Sequence, residues 1–159
     1  MEDFGGKVYD LRGWGQDIME VKEIHRNLFT VGNEYYLAHC ISSDCKMGAG
    51  IAVEFNRRFN LRSALLRYSE DVRKHPTCIL EGRVFNLITK EKYWNKPTYD
   101  TIENSLAVMR DIVRKLNIKY IAIPKIGSGL DRLEWNKVKK IIIEVFKDTD
   151  VEILVCKIS

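Results

Sequence analysis

The chain has 159 residues, which is enough for one domain with its own hydrophobic core but too few for two domains of ordinary size. Hydrophobic residues make up 45% and charged residues 30% of it, a composition typical of globular proteins that excludes a low-complexity chain. The net charge of +4 is compatible with an anionic ligand but is too small to indicate nucleic-acid binding by itself.

The first twenty residues carry no regular period, because glycines at positions 5, 6, 13 and 15 interrupt it. Trp14 indicates that part of this segment packs against the rest of the protein. We interpret residues 1–20 as an N-terminal extension with room for one added edge strand, and residues 21–159 as the domain.

Short apolar runs rich in β-branched or aromatic residues predict strands from Val21 onward. The predicted strands cover residues 21–24, 35–38, 78–80, 84–88, 120–123 and 151–155. Glu81 and Gly82, between the third and fourth runs, predict a hairpin turn.

The stretches between these runs have the spacing of amphipathic helices. One apolar stripe consists of Ile102, Leu106, Met109, Val113 and Leu116. A second stripe covers residues 138–146, and two further helices are predicted over residues 50–59 and 61–73. Strands that alternate with helices predict an α/β fold with a largely parallel sheet covered on both faces, and the hairpin makes that sheet mixed.

Two of the predicted strands lead to residues that can do chemistry. Lys90 follows the run at 84–88, and Asp131 follows the run at 120–123 after a turn with two glycines. In open α/β sheets, ligands bind outside the carboxyl ends of the strands. An amine can act there as a nucleophile and a carboxylate as a proton carrier. Taken singly, each residue is more often a solvated surface charge or a turn residue.

Glycine loops follow two strands of the predicted sheet. Gly48 and Gly50 come after the strand at 35–38, and Gly127 and Gly129 come after the strand at 120–123. Backbone N–H groups in such loops can cradle phosphate. Neither loop is a complete Rossmann fingerprint or a Walker A loop, and each alone fits an ordinary connection. Together they provide two cradles, which fits a diphosphate better than a single phosphate.

We interpret the cysteines at positions 40, 45, 78 and 156 as reduced thiols. His39, Cys40 and Cys45 lack a second ligand pair at zinc-finger spacing, so we expect no metal site.

No apolar run is long enough to cross a bilayer and no secretory signal is visible, so we expect a cytoplasmic protein without a membrane partner. Nothing in the pattern indicates an obligate dimer, and we expect a monomer.

Basic side chains form two clusters on or beside the predicted helices, at positions 57, 58, 62, 67, 73 and 74 and again at 137, 139 and 140. Solvated helix faces are the ordinary interpretation of such clusters. A nucleic-acid track stays open as an alternative, but aromatic residues are not interleaved with these positions as they are in stacking surfaces.

Five segments and Trp135 together resemble the macrodomain family. The segments are residues 38–42, 47–52, 87–90, 96–99 and 126–133, and they follow the family's order and intervals from about Val21 to the C-terminus. The pairing of Lys90 with Asp131 resembles, more narrowly, the terminal ADP-ribose protein glycohydrolases, also described as O-acetyl-ADP-ribose deacetylases. This resemblance implies a three-layer α/β/α fold around a mixed, mostly parallel sheet, with ADP-ribose in a cleft at the strand ends.

The same resemblance implies where ADP-ribose would lie. Asn27 and Leu28 would be near the adenine, and Ile158 beside the adenosine. Asn27 stands where many macrodomains have an aspartate, and its neutral amide is a weaker acceptor. The diphosphate and distal ribose would be flanked on one side by Ser42, Gly48, Ala49, Gly50 and Ile51, and on the other by Lys125, Ile126, Gly127, Ser128, Gly129 and Leu130.

In this family, the lysine that matches Lys90 attacks the anomeric carbon of the distal ribose. The aspartate that matches Asp131 handles protons and helps to resolve the lysyl intermediate. We therefore expect a metal-independent hydrolase without a cofactor that binds ADP-ribose and removes mono-ADP-ribose from acidic side chains of ADP-ribosylated proteins. The resemblance also implies that it deacetylates O-acetyl-ADP-ribose.

Two alternatives stay open from the sequence. A DNA ADP-ribosyl hydrolase of the antitoxin type would keep the chemistry and act on ADP-ribosylated DNA, which the basic helices would fit. A non-catalytic ADP-ribose reader would need only the two glycine loops. A lysine and an aspartate at the open end of the sheet argue against the reader, since binding alone requires neither.

Overall fold

The computed structural model describes residues 7–9 and 17–158. Within these residues, one sheet contains seven strands, and their order in space is β1-β2-β7-β6-β3-β5-β4. The strands are β1 (Lys7–Tyr9), β2 (Asp17–His25), β3 (Tyr36–Ser42), β4 (Thr77–Glu81), β5 (Val84–Lys90), β6 (Tyr120–Ile123) and β7 (Glu152–Lys157). The five central strands run parallel, and the two edge strands are antiparallel to their neighbours. The predicted mixed, mostly parallel sheet is confirmed.

Helices cover both faces of this sheet. They are α1 (Ile51–Phe59), α2 (Leu61–Leu65), α3 (Tyr99–Leu116) and α4 (Trp135–Phe146), and a short 3-10 helix spans Leu28–Thr30. Apolar side chains of α3 and α4 pack in one core cluster, and those of α1, α2 and the 3-10 helix pack in the other. The three-layer α/β/α arrangement is therefore confirmed.

The strands are apolar on both sides because both of their faces are covered. On β5, Phe85 and Leu87 belong to the core that includes α3 and α4, whereas Val84 and Ile88 belong to the opposite core. Each of these four side chains is almost completely buried. Burial of one such side chain stabilises the fold by about 2 kcal/mol, so a polar replacement on either face would be costly.

The long helix α3 begins and ends at residues suited to those positions. Thr98 is its N-cap and accepts a hydrogen bond from the backbone N–H of Thr101, whose side chain accepts from the Thr98 N–H in return. This reciprocal pair satisfies two N–H groups that the helix itself leaves unbonded. The helix ends at Asn117, which has a left-handed φ of 55°. Asparagine tolerates that conformation better than most residues.

One predicted helix is shorter than expected. The helix predicted over residues 61–73 ends at Leu65, so the prediction is wrong beyond that residue. From there the backbone makes i to i+3 turns, as in the hydrogen bond of 3.0 Å from the N–H of Tyr68 to the carbonyl of Leu65. The hydroxyl of Ser69 accepts from the N–H of Val72, which offers the backbone an alternative to helix.

At the N-terminal side, Lys7–Tyr9 forms the edge strand β1, antiparallel to β2. Strand β2 starts at Asp17 and passes through residue 20 without interruption. Trp14 lies outside the described residues, and the division of the chain at residue 20 stays a prediction.

No helix in the described part of the chain is both long and apolar enough to cross a membrane.

Candidate functional site

The carboxyl ends of four parallel strands meet at one edge of the sheet and open into a cleft. Strands β3 and β5 end there at Ser42 and Lys90, β6 is followed there by Pro124, and β7 ends there at Lys157. The cleft has a volume of about 850 Å³. A smaller cavity of about 480 Å³ lies at the opposite edge, between the end of α3 and the loop before β7, and neither a lysine nor a glycine lines it.

The loop between β3 and α1 forms one wall of the cleft and is organised by Asp44. Its carboxylate accepts hydrogen bonds from the Ser42 hydroxyl, from the N–H of Lys46 at 3.2 Å and from the N–H of Tyr93 at 3.0 Å. Burial opposes the charge on Asp44, but these hydrogen bonds outweigh it and hold the pKa of the carboxyl below its ordinary value. Asp44 therefore stays ionised and ties this loop to the segment after β5.

Gly50 ends this loop and starts α1 with a backbone that other residues rarely adopt. Its φ and ψ are 61° and −152°, a combination found almost only at glycine. A Cβ at this position would lie 3.1 Å from the Leu130 side chain, which belongs to the opposite wall. The two walls therefore approach each other at Gly50, where the positive N-terminal end of α1 faces the cleft.

The second wall is the loop between β6 and α4. Gly127 has a φ of 73°, and its carbonyl accepts a hydrogen bond of 2.7 Å from the N–H of Leu133, which folds the loop back on itself. A Cβ at Gly129 would meet nothing within 4 Å, and the same holds for Gly48 in the first wall. Both walls thus leave a stretch of backbone open to a ligand, as a phosphate cradle requires.

Lys90 and Asp131 meet between the two walls. The distance from Lys90 Nζ to Asp131 Oδ1 is 2.8 Å. Their side chains are 14% and 13% exposed, so the pair is mostly shielded yet reachable from the cleft. On the far side of Asp131, Lys96 donates a hydrogen bond of 3.0 Å to the carbonyl of Leu130 and fixes the end of the second loop.

An irregularity in the sheet precedes Lys90. Ile41 of β3 pairs with Ile88 of β5, but the next residue of β3, Ser42, pairs with Lys90, so Thr89 is an extra residue on β5. Such a bulge bends a strand and changes the direction of the side chains that follow. Beyond it, the carbonyl of Lys90 accepts from the N–H of Ser43 at 2.9 Å, which fixes the lysine backbone to the first loop.

Cys40 also lines the cleft, beneath this pair. Burial raises the pKa of its thiol, and the nearby Asp131 carboxylate raises it further. The thiol therefore stays protonated at neutral pH and is a poor nucleophile. All four cysteines are free thiols.

His39 lies one residue earlier on β3 but does not reach the cleft. Its Nε2 lies 2.7 Å from Oδ1 of Asn86 on β5, and its ring stacks on that of Phe55. Burial lowers the pKa of His39 to about 4, so the imidazole is neutral. Among residues 7–9 and 17–158, no three side chains of the His, Cys, Asp and Glu types group as metal ligands.

Most of the site residues predicted from sequence line this one cleft. These are Lys90, Asp131, Ser42, Gly48, Ala49, Gly50, Ile51, Lys125, Ile126, Gly127, Ser128, Gly129, Leu130 and Ile158. Asn27 and Leu28 are not among its lining residues. The side-chain oxygen of Asn27 accepts from the N–H of Phe29 at 2.9 Å and caps the 3-10 helix, and Leu28 is buried in the core. The role expected for these two beside an adenine stays a prediction.

Sequence reasoning missed several residues that line the cleft. Lys46, Tyr93, Lys96 and Lys157 contribute to its walls, and none was singled out as a site residue. Residues 90–96, where lysines flank two adjacent aromatic residues, were an available signal for part of this set.

Comparison with known proteins identifies the family. No family model matches the chain. The human protein named ADP-ribose glycohydrolase OARD1 is 41% identical over 130 residues, which cover 81% of this chain and 86% of the relative. The solved macrodomain of Thermus aquaticus DarG superposes with a TM-score of 0.78, at 23% identity, over 87% of this chain and 98% of that one. The chain belongs to the macrodomain family.

A further relative of this macrodomain is named for a reaction on DNA. The DNA ADP-ribosyl glycohydrolase of Mycobacterium bovis is 28% identical over 114 residues. The match covers 64% of this macrodomain but only 32% of the mycobacterial protein. The relatives of this macrodomain therefore include proteins named for the release of ADP-ribose, one of them specifically from DNA.

Proposed function

We propose that this macrodomain is an ADP-ribosyl glycohydrolase that removes mono-ADP-ribose from acidic side chains of proteins. Lys90 is the nucleophile and Asp131 the acid and base. The general activity follows the names of the human and mycobacterial relatives. The observation that carries the residue assignment is the contact of 2.8 Å between Lys90 Nζ and Asp131 Oδ1, in a cleft between two open glycine loops.

The two loops would hold the diphosphate of ADP-ribose. The N-terminal end of α1 and the open backbone at Gly48 and Gly129 would supply N–H groups to its anionic oxygens. A diphosphate fixed between these walls would place the distal ribose beside Lys90 and Asp131. Positioning of this kind supplies a large part of the rate enhancement in enzymes, because it replaces a random encounter by a fixed one.

The first step would join the lysine to the sugar. Transfer of one proton from Nζ of Lys90 to Asp131 frees the nitrogen lone pair, which attacks the anomeric carbon of the distal ribose. The bond from that carbon to the oxygen of the modified side chain breaks, and its electron pair stays on the departing carboxylate. Asp131 returns the proton to that carboxylate and then accepts the second proton from the lysyl nitrogen.

The second step would release the sugar. Asp131 donates its proton to the lysyl nitrogen, the carbon–nitrogen bond breaks, and water adds to the anomeric carbon. The Asp131 carboxylate takes the proton that water loses and passes it to the Lys90 amine, which restores the starting ion pair. These steps use side chains of this chain alone. Deacetylation of O-acetyl-ADP-ribose would use the same pocket for a related ester.

The replacement of Lys90 by alanine tests this assignment. With an automodified protein that carries ADP-ribose on acidic residues, we expect the variant to release ADP-ribose at least about a thousand-fold more slowly, since a covalent step is lost. Lys115→Ala is the matched control, because Lys115 is an exposed lysine at the end of α3, away from the cleft. Undiminished release by Lys90→Ala would exclude the lysine nucleophile.

A second candidate function is the release of ADP-ribose from DNA bases. It is favoured by the name of the mycobacterial relative and by the lysines that line the cleft. Incubation with ADP-ribosylated single-stranded DNA and with the ADP-ribosylated protein, in parallel, separates the two acceptors. Tight ADP-ribose binding without turnover of either substrate would instead indicate a reader.

A further inference from the structure

The loop that carries Asp131 is tied to a neighbouring part of the chain at two points. Lys96 Nζ donates a hydrogen bond of 3.0 Å to the carbonyl of Leu130, the residue before Asp131. Three residues after Asp131, the N–H of Glu134 donates a hydrogen bond of 3.1 Å to the hydroxyl of Tyr99. The two bonds therefore bracket Asp131 along the chain. We call Lys96 and Tyr99 the clamp.

The clamp stands on a rigid part of the fold. Tyr99 is the first residue of α3, whose start is fixed by the reciprocal hydrogen bonds of Thr98 and Thr101. Three residues further along the helix, Ile102 is buried in the core. From the other side, Nζ of Lys137 in α4 lies 5.6 Å from the centre of the Tyr99 ring, within the range of a cation–π contact. The phenol is therefore held between the starts of two helices.

The backbone hydrogen bonds inside the loop link the loop to itself. The N–H of Leu133 donates to the carbonyl of Gly127 at 2.7 Å, and the N–H of Arg132 donates to the carbonyl of Gly129 at 3.1 Å. Arg132, next to Asp131, has a left-handed φ of 61°. A residue other than glycine keeps such a strained backbone only where its surroundings hold it. The clamp supplies two contacts that hold this part of the loop from outside.

The Lys90 amine and the clamp belong to one connection of the fold. Strand β5 ends at Lys90, and α3 begins at Tyr99. The contact of 2.8 Å between Lys90 Nζ and Asp131 Oδ1 is therefore flanked, along the loop, by the two clamp bonds from the same connection. An ion pair that borders solvent holds its partners together only weakly. Without the clamp, the Asp131 carboxylate would leave the amine more often.

We infer that Lys96 and Tyr99 are positioning residues, which hold the Asp131 carboxylate at the Lys90 amine during the proton transfers of the reaction. A proton passes efficiently only between groups within hydrogen-bond reach of each other. A displacement of about 1 Å, caused by a mutation away from the reacting atoms, can slow a reaction about a hundred-fold. The inference deepens the proposed function, on which it rests. It also gives a role to residues 96–99, one of the segments that carry the resemblance to the family.

The steady-state release of ADP-ribose from the modified protein substrate tests the role of Tyr99. Tyr99→Phe removes the hydroxyl and keeps the ring, and we expect kcat to fall about ten-fold because Asp131 is displaced more often. KM and the affinity for ADP-ribose in calorimetry should stay within about two-fold, since ground-state binding is not touched. Tyr120→Phe is the matched control, because Tyr120 starts β6 at the end of the strand opposite the cleft. An unchanged kcat in Tyr99→Phe would overturn the inference.

Lys96 requires two variants, because it also lines the cleft, where a lysine can contact the ligand directly. Lys96→Met removes the donor and should lower kcat about ten-fold, and Lys96→Arg, which keeps a long donor, should recover most of it. Both variants should bind ADP-ribose within about two-fold of the unchanged protein. Weaker binding of ADP-ribose by Lys96→Met with an unchanged kcat would assign Lys96 to the ligand and overturn its part in the clamp.

A double variant separates positioning from a purely structural role. If Tyr99 acts through Asp131, Tyr99→Phe should have no further effect on the rate once Asp131 is already asparagine. Single-turnover measurements with enzyme in excess give access to this slow rate. A further loss of about ten-fold in the double variant would show that Tyr99 acts independently of Asp131, and would overturn the inference.

The same assays distinguish failure of this inference from failure of the proposed function. Full turnover by Asp131→Asn would contradict the proposed function itself. Slow turnover by Asp131→Asn, together with an unchanged kcat in Tyr99→Phe, would overturn the inference alone. Rates are expressed per binding-competent molecule, counted by titration with ADP-ribose. Lys96 is exposed, so Lys96→Met keeps the test available if Tyr99→Phe lowers the yield of folded protein.

Discussion

Two hydrogen-bonded pairs of polar side chains join neighbouring elements of this fold, and the distance between the bonded atoms is almost the same in both. His39 Nε2 lies 2.7 Å from Asn86 Oδ1, and Lys90 Nζ lies 2.8 Å from Asp131 Oδ1. His39 and Asn86 are completely buried between β3 and β5. Lys90 and Asp131 are also mostly covered, but they border the cleft. The pairs differ in charge and in access to a ligand far more than in geometry.

This difference separates structural from chemical roles. The buried pair is neutral, and its hydrogen bonds satisfy His39 Nε2 and the side-chain amide of Asn86 inside the core, although Nδ1 of His39 has no hydrogen-bond partner. It therefore contributes to stability and specifies how the two strands match. The cleft pair is an ion pair that borders the cleft, and the proposed function assigns the proton transfers to it. Mutations in the two pairs should therefore affect different measurements, and the following predictions test that separation.

The largest effect should come from Asp131→Asn. An amide cannot take the proton of Lys90, so we expect release of ADP-ribose from a modified acidic residue to slow by about 10²–10³-fold. The free energy of unfolding should change much less than turnover does, because the side-chain oxygen of asparagine can still accept a hydrogen bond from Lys90 Nζ. Asp111→Asn, at an exposed position of α3, is the control. An Asp131→Asn enzyme with full turnover would contradict the assignment.

The next effect should come from Asn86→Leu, and it should appear in stability alone. Asn86 accepts from His39 and donates to the carbonyls of Ile79 and Val84 at 3.2 and 3.1 Å. Its loss leaves buried polar groups unsatisfied, and we expect the free energy of unfolding to fall by about 3 kcal/mol in urea titrations. Turnover per folded molecule should be unchanged. Loss of turnover without loss of stability would contradict the structural role.

A smaller effect should follow from pH. The pKa of His39 is lowered from 6.5 to about 4 by burial, so between these values the unfolded chain binds more protons than the folded one. Stability from this group is therefore complete above pH 6.5 and is lost as the pH falls toward 4. The free energy of unfolding should fall by about 2 kcal/mol between pH 7 and pH 5. His39→Gln should remove that part of the pH dependence, and identical curves would refute the assignment.

The smallest effect should come from Gly50→Ala in the first wall. A side chain at a φ of 61° is strained, and its Cβ would press on Leu130, although that exposed side chain can move away. We expect the protein to lose about 1 kcal/mol of stability and to bind ADP-ribose several-fold more weakly. Gly48→Ala is the matched control for stability, since its Cβ would meet open space. Equal melting temperatures for the two variants would argue against strain at Gly50.

Much of the fold could be predicted because the pattern of apolar residues determines it. Strand β6 was predicted at the bounds that the structure has, since Tyr120–Ile123 is a short apolar run between a helix end and a glycine loop. Strands β5 and β7 extend further than predicted, to Lys90 and Lys157, because their last polar residues still pair in the sheet. The hydropathy of a sequence does not indicate that a polar residue forms backbone hydrogen bonds at the end of a strand. After the early end of α2 at Leu65 the backbone continues in i to i+3 turns, which the helical period also does not show.

Residues of the candidate site could be predicted only where the side chain is reactive and also follows a strand of the sheet. Lys90 ends strand β5, and Asp131 lies in the loop after β6. Because the carboxyl ends of parallel strands meet at one edge of the sheet, the topology brings the two residues together. The bulge at Thr89 and the contact between Gly50 and Leu130 depend on register and loop conformation, which a sequence does not display. The cleft residues Tyr93 and Lys96 were not predicted as site residues because the clusters of basic residues in the sequence lie on the predicted helices. Tyr93 and Lys96 lie instead in the loop after β5.

The protonated thiol of Cys40 has a consequence for chemical probes. Reagents that label cysteine require the thiolate, which burial and the adjacent carboxylate disfavour at this position. Thiol-directed reagents and mild oxidants should therefore leave this sulfur intact. An inhibitor designed on the proposed function would carry its reactive group toward the Lys90 amine and not toward the thiol beneath it.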